Sequence, residues 1–145
     1  MVTFESSAFN TSEPKDYFIN PCCFGDDVAK WLIERLHCKE YQAADMPGQE
    51  DFGWFFTFDA SGIEHCFVIG HRPGNEETEG VWIGWLERSR GFVSSMLGGR
   101  KRDIHPNAVR AIHEILSNSP EIQNVRWHIQ RDFDTGQKEI GTPAP

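Results

Sequence analysis

The chain has 145 residues, of which 39% are apolar and 12% aromatic, and its formal net charge is -8. That length suits one hydrophobic core, and that aromatic content excludes a chain that stays unfolded. With 14 Lys and Arg against 22 Asp and Glu, the protein as a whole repels phosphate backbones and anionic lipid, which excludes a membrane partner and disfavours nucleic acid.

Residues 1–16, rich in Ser, Thr, Glu and Asn, read as a mobile arm. The first 20 residues lack the basic start and apolar stretch of a signal peptide, and no run of about 18 apolar residues could span a membrane, so the expected location is the cytoplasm. A single domain is expected over residues 17–131, followed by a polar tail over 132–145 where all periodicity is lost. "YFIN" reads as a short strand ended by Pro21. In "DVAKWLIERLHC", Val28, Trp31, Leu32 and Leu36 recur at helical spacing, with Asp26 as N-cap and Lys30, Glu34 and Arg35 toward water. "EYQAADMPGQED" reads as a short extended piece and a Pro-Gly turn. Three aromatic and β-branched runs follow, "FGWFFTF", "IEHCFVIGHR" and "VWIGWLER", joined by "DASG" and the acidic "PGNEETEG". This predicts an antiparallel three-stranded meander. "PNAVRAIHEILSNSP" places Val109, Ile112, Ile115 and Leu116 on one side of a second helix, with Pro106 at its first position. "NVRWHIQ" predicts a last strand. The expected fold is α+β, with two helices packed on a mostly antiparallel sheet of about five strands in the order β-α-(β)-β-β-β-α-β.

The middle strands are apolar on both alternating sets: Phe67 and Ile69 against Cys66 and Val68, then Trp82 and Leu86 against Val81, Ile83 and Trp85. A two-layer domain should leave one sheet face polar. The second face is therefore expected to be covered, by the domain's own chain ends, by residues 92–97, or by a second copy or partner.

Little chemistry is written in motifs. "DFG" at Asp51 to Gly53 resembles a kinase metal-binding triplet, but a glycine-rich loop, a catalytic-loop motif and a kinase's length are all missing. Neither a nucleophile elbow nor a phosphate-binding loop occurs. Four cysteines (Cys22, Cys23, Cys38, Cys66) read as reduced thiols, because a core of this size needs no staples. Of the six histidines, His65 and His71 share a strand face about 20 Å apart, and none pairs at metal-ligand spacing. Neither a cofactor nor a metal is expected, and no catalytic residue is assigned. One enzyme or redox alternative places Cys22 and Cys23, just before the first helix where a thiol pKa can fall, in a pocket with His65 and His128.

Charge is distributed unevenly. Asp45, Glu50 and Asp51 cluster in one link and Glu76, Glu77 and Glu79 in another, and both read as solvated loops able to meet a basic partner. From Arg88 to Arg102 there are five cations and no acid. Arg100, Lys101 and Arg102 read as a basic loop that compensates the acidic body, with anion or nucleic-acid binding as an alternative; base-stacking aromatics are nearly missing beside them. Phe92, Met96 and Leu97 supply apolar anchors for a partner.

The strings "DFGWFFTFD", "FVIGHRP", "WLERSRGFVSSMLGGRKR" and "IQNVRWH" resemble small uncharacterised bacterial α+β proteins over about residues 18–130. That resemblance implies no activity and no site residue. An acidic single domain without a catalytic signature also resembles, in type, the immunity partners of bacterial toxins. The expected function is non-enzymatic protein binding, immunity-like or regulatory, through an acidic and aromatic surface. The expected partner is a protein, a basic one or a second copy.

Overall fold

A computed structural model describes residues 1–74, 80–88, 104–129 and 141–145. Among them are strands β1 (Val2–Glu5), β2 (Gly48–Glu50), β3 (Gly53–Ala60), β4 (Ile63–Arg72), β5 (Val81–Arg88) and β6 (Gln123–Trp127), with helices α1 (Asp26–Cys38) and α2 (Pro106–Ser117). The strands form one antiparallel sheet in the order β2-β3-β4-β5-β1-β6. The α+β class and the central meander are as expected.

Each helix forms where its apolar stripe can be buried. In α1 that stripe is Val28, Leu32, Ile33 and Leu36, with Asp26 and Asp27 at the positive end of the helix dipole and Arg35 and His37 near the negative end. In α2 it is Ala108, Ala111, Ile112, Ile115 and Leu116. Pro106 opens α2, and the His105 ring caps it by accepting the Asn107 N–H at 3.2 Å. Asp26 is not the N-cap of α1. Gly25 holds that position at φ 146°, a conformation that favours glycine, and offers no side-chain cap, while Asp26 is the first helical residue and points elsewhere.

Two expectations about the chain's beginning are corrected. Residues 17–20 form no strand, and the supposed mobile arm of residues 1–16 contains β1, an interior strand paired with β5 and β6. "VTFE" is too short to show a period, and what makes it a strand is its place between two others, which hydrogen-bond both its edges and bury Val2 and Phe4. Part of the expected polar tail is also attached to the sheet. Thr142 exchanges backbone hydrogen bonds with Trp127, at 2.8 Å and 2.7 Å.

Cross-strand register separates the two faces of the sheet. Trp54, Phe56 and Phe58 of β3 lie opposite Ile69, Phe67 and His65 of β4, and with Trp82 of β5 and Val2 and Phe4 of β1 they face the helices as the core. On the other face Phe55, Val68 and Trp85 form a row across three strands. Val68 is 0% and Cys66 1% exposed. These two side chains in the middle of the second face are therefore shielded from solvent within the single chain.

Candidate functional site

The start of α1 organises the surface at one edge of the sheet. Asp26 is only 1% exposed, and its Oδ2 accepts hydrogen bonds from Lys15 Nζ at 2.8 Å, Tyr17 OH at 2.5 Å and Lys30 Nζ at 3.4 Å. Burial pushes the Asp26 carboxyl up, but the Lys15 and Tyr17 hydrogen bonds more than offset it and hold the group below 3.8. The Asp26 carboxylate likewise raises Lys15 above 10.5. Next to it, Asp27 Oδ2 accepts the Asn10 N–H at 2.6 Å. Two consecutive carboxylates thus clamp residues 10–17 against the helix.

Gln49 holds the following stretch. Its Oε1 accepts the Ile19 N–H at 2.6 Å and its Nε2 donates to the Asn20 carbonyl at 2.9 Å, while Trp54 Nε1 donates to the Cys23 carbonyl at 2.9 Å. Backbone groups of a segment without regular structure are in this way satisfied by side chains of β2 and β3. Phe18 goes inward against Trp54, with ring centroids 5.0 Å apart. Its neighbours go outward.

The result is a concentration of exposed apolar side chains. Ile19 is 73%, Met46 63%, Tyr17 54% and Phe52 39% exposed, and all four belong to segments that adjoin β2. Asp16, Asp45, Glu50 and Asp51 alternate with them and are exposed. The nearby cations Lys15 and Lys30 are engaged by Asp26 and lie over the Tyr17 ring at 5.8 Å and 5.1 Å. Among the described residues no cation forms an ion pair with these four acids, which makes this surface negative there, a charge arrangement suited to a basic partner.

The sequence-derived thiol and histidine candidates are not brought together. Cys22 is exposed and Cys23 half-buried in the loop beside β2, where Cys23 Sγ donates to the Asp51 carbonyl at 3.5 Å. Burial, then the neighbouring charges of Cys22 and Asp51, push the Cys23 thiol up, the reverse of activation. Burial also pushes Cys66 up, to about 12. His65 is buried on the helix side of β4, where its Nδ1 donates to the Ile63 carbonyl at 2.8 Å and its Nε2 accepts the His105 N–H at 3.3 Å. His128 lies past β6 with its Nε2 2.8 Å from Thr3 Oγ1, and Thr3 pairs with Ile83 on the opposite sheet face. Among the described residues no group of three His, Cys, Asp or Glu side chains could hold a metal ion. No helix among them is long and apolar enough to cross a membrane.

Phe92, Met96, Leu97, Arg100, Lys101, Arg102, Glu76, Glu77 and Glu79 lie outside the described residues. The acids Asp45, Glu50 and Asp51 were legible as a cluster. What sequence reasoning missed is their apolar company, because Ile19 and Tyr17 read as part of a strand; Pro21 and the Asn20 turn beside them were the available signal.

No family model matches the chain, and no curated protein or solved structure matches it either.

Proposed function

We propose that this chain is a non-enzymatic protein-binding domain acting through the acidic, apolar surface at the β2 edge. One observation carries the reading: Tyr17 and Ile19, whose hydroxyl and backbone N–H donate to the buried Asp26 and Gln49 side chains, are held outward, and Met46 and Phe52, which flank β2 on either side in the chain, are exposed as well. Exposing large apolar side chains on an anchored surface opposes the hydrophobic effect, and contiguous patches of this kind mark interaction sites. The surrounding acids favour a basic protein, since complementary charge speeds encounter and selects partners. Inhibition of a basic toxin in the cytoplasm, as an immunity protein, is the most concrete form. A second copy meeting this same surface would set four like-signed carboxylates of each copy against one another, which opposes a dimer there.

A double substitution, Ile19→Ser with Met46→Ser, tests the proposal. Both side chains are exposed, so the thermal midpoint should stay within about 2 °C of the parent, as for surface changes generally. A protein co-purified from source-cell extract by the parent chain should be lost with the variant. Retention of the same protein by the variant would sink the proposal.

A further inference from the structure

We infer that α2 is a pH-released element of this fold: the imidazoles of His65, His105 and His113 hold it in place as hydrogen-bond acceptors, so that acid detaches it while the sheet stays paired. At the first end of the helix the contacts run in series. His65, on the helix side of β4 and 0% exposed, accepts the His105 N–H at its Nε2, 3.3 Å away, and the His105 ring accepts the Asn107 N–H at its Nδ1, 3.2 Å away. About two turns on, His113 Nδ1 accepts the indole N–H of Trp127 in β6 at 3.2 Å, and Ser117 Oγ lies 3.1 Å from the same nitrogen.

The donors fix the state of each ring. A backbone N–H and an indole N–H can only donate, so the facing nitrogen of each imidazole must carry a lone pair. Protonation sets N–H against N–H at all three places. A hydroxyl or amide would accept at an N-cap over the whole pH range, whereas imidazole is the side chain whose ordinary charge change lies between about pH 5 and 8. At His105 the charged ring would also meet the positive end of the helix dipole.

The charged surroundings do not rescue a protonated ring. Burial, then the charges of Arg88 on β5 and of His105, hold His65 below 6.5 against the Ile63 carbonyl and Asp59 of β3, which favour the charged form. Glu64 and Glu87 lie beside Cys66 on the far face. Arg126 of β6 alternates with Trp127 and points to that far face too. Toward α1, Arg35 and Lys39 pair with Glu121 and Glu114 at 3.6 Å each, exposed bridges that add little hold. On α2 itself Arg110 is exposed and donates to Asn107 Oδ1 at 3.4 Å. Asn107 Nδ2 donates to Ser61 Oγ at 2.7 Å, a tether that acid leaves unchanged. Beyond it the helix keeps an apolar stripe in which two of five buried residues are alanines, which bury little area. Strand ladders contain no titrating group, so the sheet outlasts the helix contacts.

Amide protection factors of the full chain at pH 7.5 and 5.5, read by NMR, compare α2 from Ala108 to Leu116 with β4 from Phe67 to Ile69. Protection in α2 should fall about tenfold or more beyond any fall in β4, the equivalent of one pKa unit of differential proton uptake. The double variant His105→Asn with His113→Gln supplies acceptors that do not titrate, and its extra fall in α2 should shrink to about threefold or less, with His65 alone remaining. Nitrogen shifts of labelled histidine in the parent at pH 7.5 should show an unprotonated Nδ1 in His105 and His113 and an unprotonated Nε2 in His65, a readout that needs no variant. A protonated nitrogen at any of these three positions would overturn the inference. So would equal falls in α2 and β4 of the parent, or an undiminished fall in the double variant. If that variant does not fold at pH 7.5, the two parent measurements decide alone.

Discussion

His65 shows how a titratable side chain can be wholly structural. Its ring lies tilted against Phe58, with centroids 6.0 Å apart, and both nitrogens are committed: one donates to Ile63, the other accepts from the backbone of His105 at the start of α2. The accepting nitrogen must be unprotonated, and burial, helped by the Arg88 and His105 charges, keeps the pKa of the ring below 6.5. Burial does the same to His71. In the unfolded chain both rings take up a proton near 6.5, whereas the folded state resists it. Stability is therefore full above that pH and falls as pH drops through it. Urea midpoints at pH 7.5 and 5.5 should show this loss. His65→Gln should be less stable at pH 7.5 and show a smaller drop between the two values; an unchanged drop would assign the effect to other groups.

Asp26 is the matching case among the acids. Its charge is retained because Lys15, Tyr17 and Lys30 surround one oxygen, and that constellation, not helix capping, explains an acid at the first position of α1. Such a carboxylate stabilises the fold at neutral pH and loses the contribution as pH falls from 3.8 through its lowered folded-state pKa.

At the scale of elements, strands β3, β4 and β5 depend on size matching across the sheet. Phe67 of β4 lies over Gly84 of β5, and a Cβ at Gly84 would overlap the Phe67 ring. The neighbouring ring contacts, Phe56 to Phe67 at 5.7 Å and Phe56 to Phe58 at 6.3 Å, leave that ring no easy retreat. Gly84→Val, although it raises strand propensity, should thus destabilise by about 1–3 kcal/mol, the usual cost of overpacking. Chemical denaturation measures it. A neutral or stabilising result would mean that Phe67 repacks freely.

For the whole molecule, the decisive feature is the position of β1. It is threaded between β5 and β6, so Phe4 meets Trp82 in a stacked pair and Thr3 meets Arg126 across a ladder that joins the first residues to nearly the last. Neighbouring contacts add to it: Phe9 packs edge-on against both Trp31 and Trp82. Removing residues 1–5 would leave β5 and β6 without a common partner and expose Trp82 and Trp127. That deletion should abolish cooperative unfolding and bring tryptophan emission toward that of a solvated indole. A truncated chain with the parent's cooperative transition would show β1 to be dispensable.

Much of this architecture was readable from local pattern. The runs "IEHCFVIGHR" and "VWIGWLER" became β4 and β5 with the expected bounds, and the two apolar stripes became α1 and α2. Hydrophobic periodicity and turn residues are properties of adjacent positions, and so the chain carries them without reference to its fold. The acids at Asp45, Glu50 and Asp51 were legible for the same reason. Tertiary structure alone decided that Val2–Glu5 is an interior strand, that Asp26 is a clamp, that His65 and His128 lie on opposite faces, and that Ile19, Met46 and Phe52 gather beside β2. Each of these depends on partners distant in sequence. A four-residue strand or a single carboxylate has no period of its own, and its role is fixed by whichever groups the rest of the fold places against it.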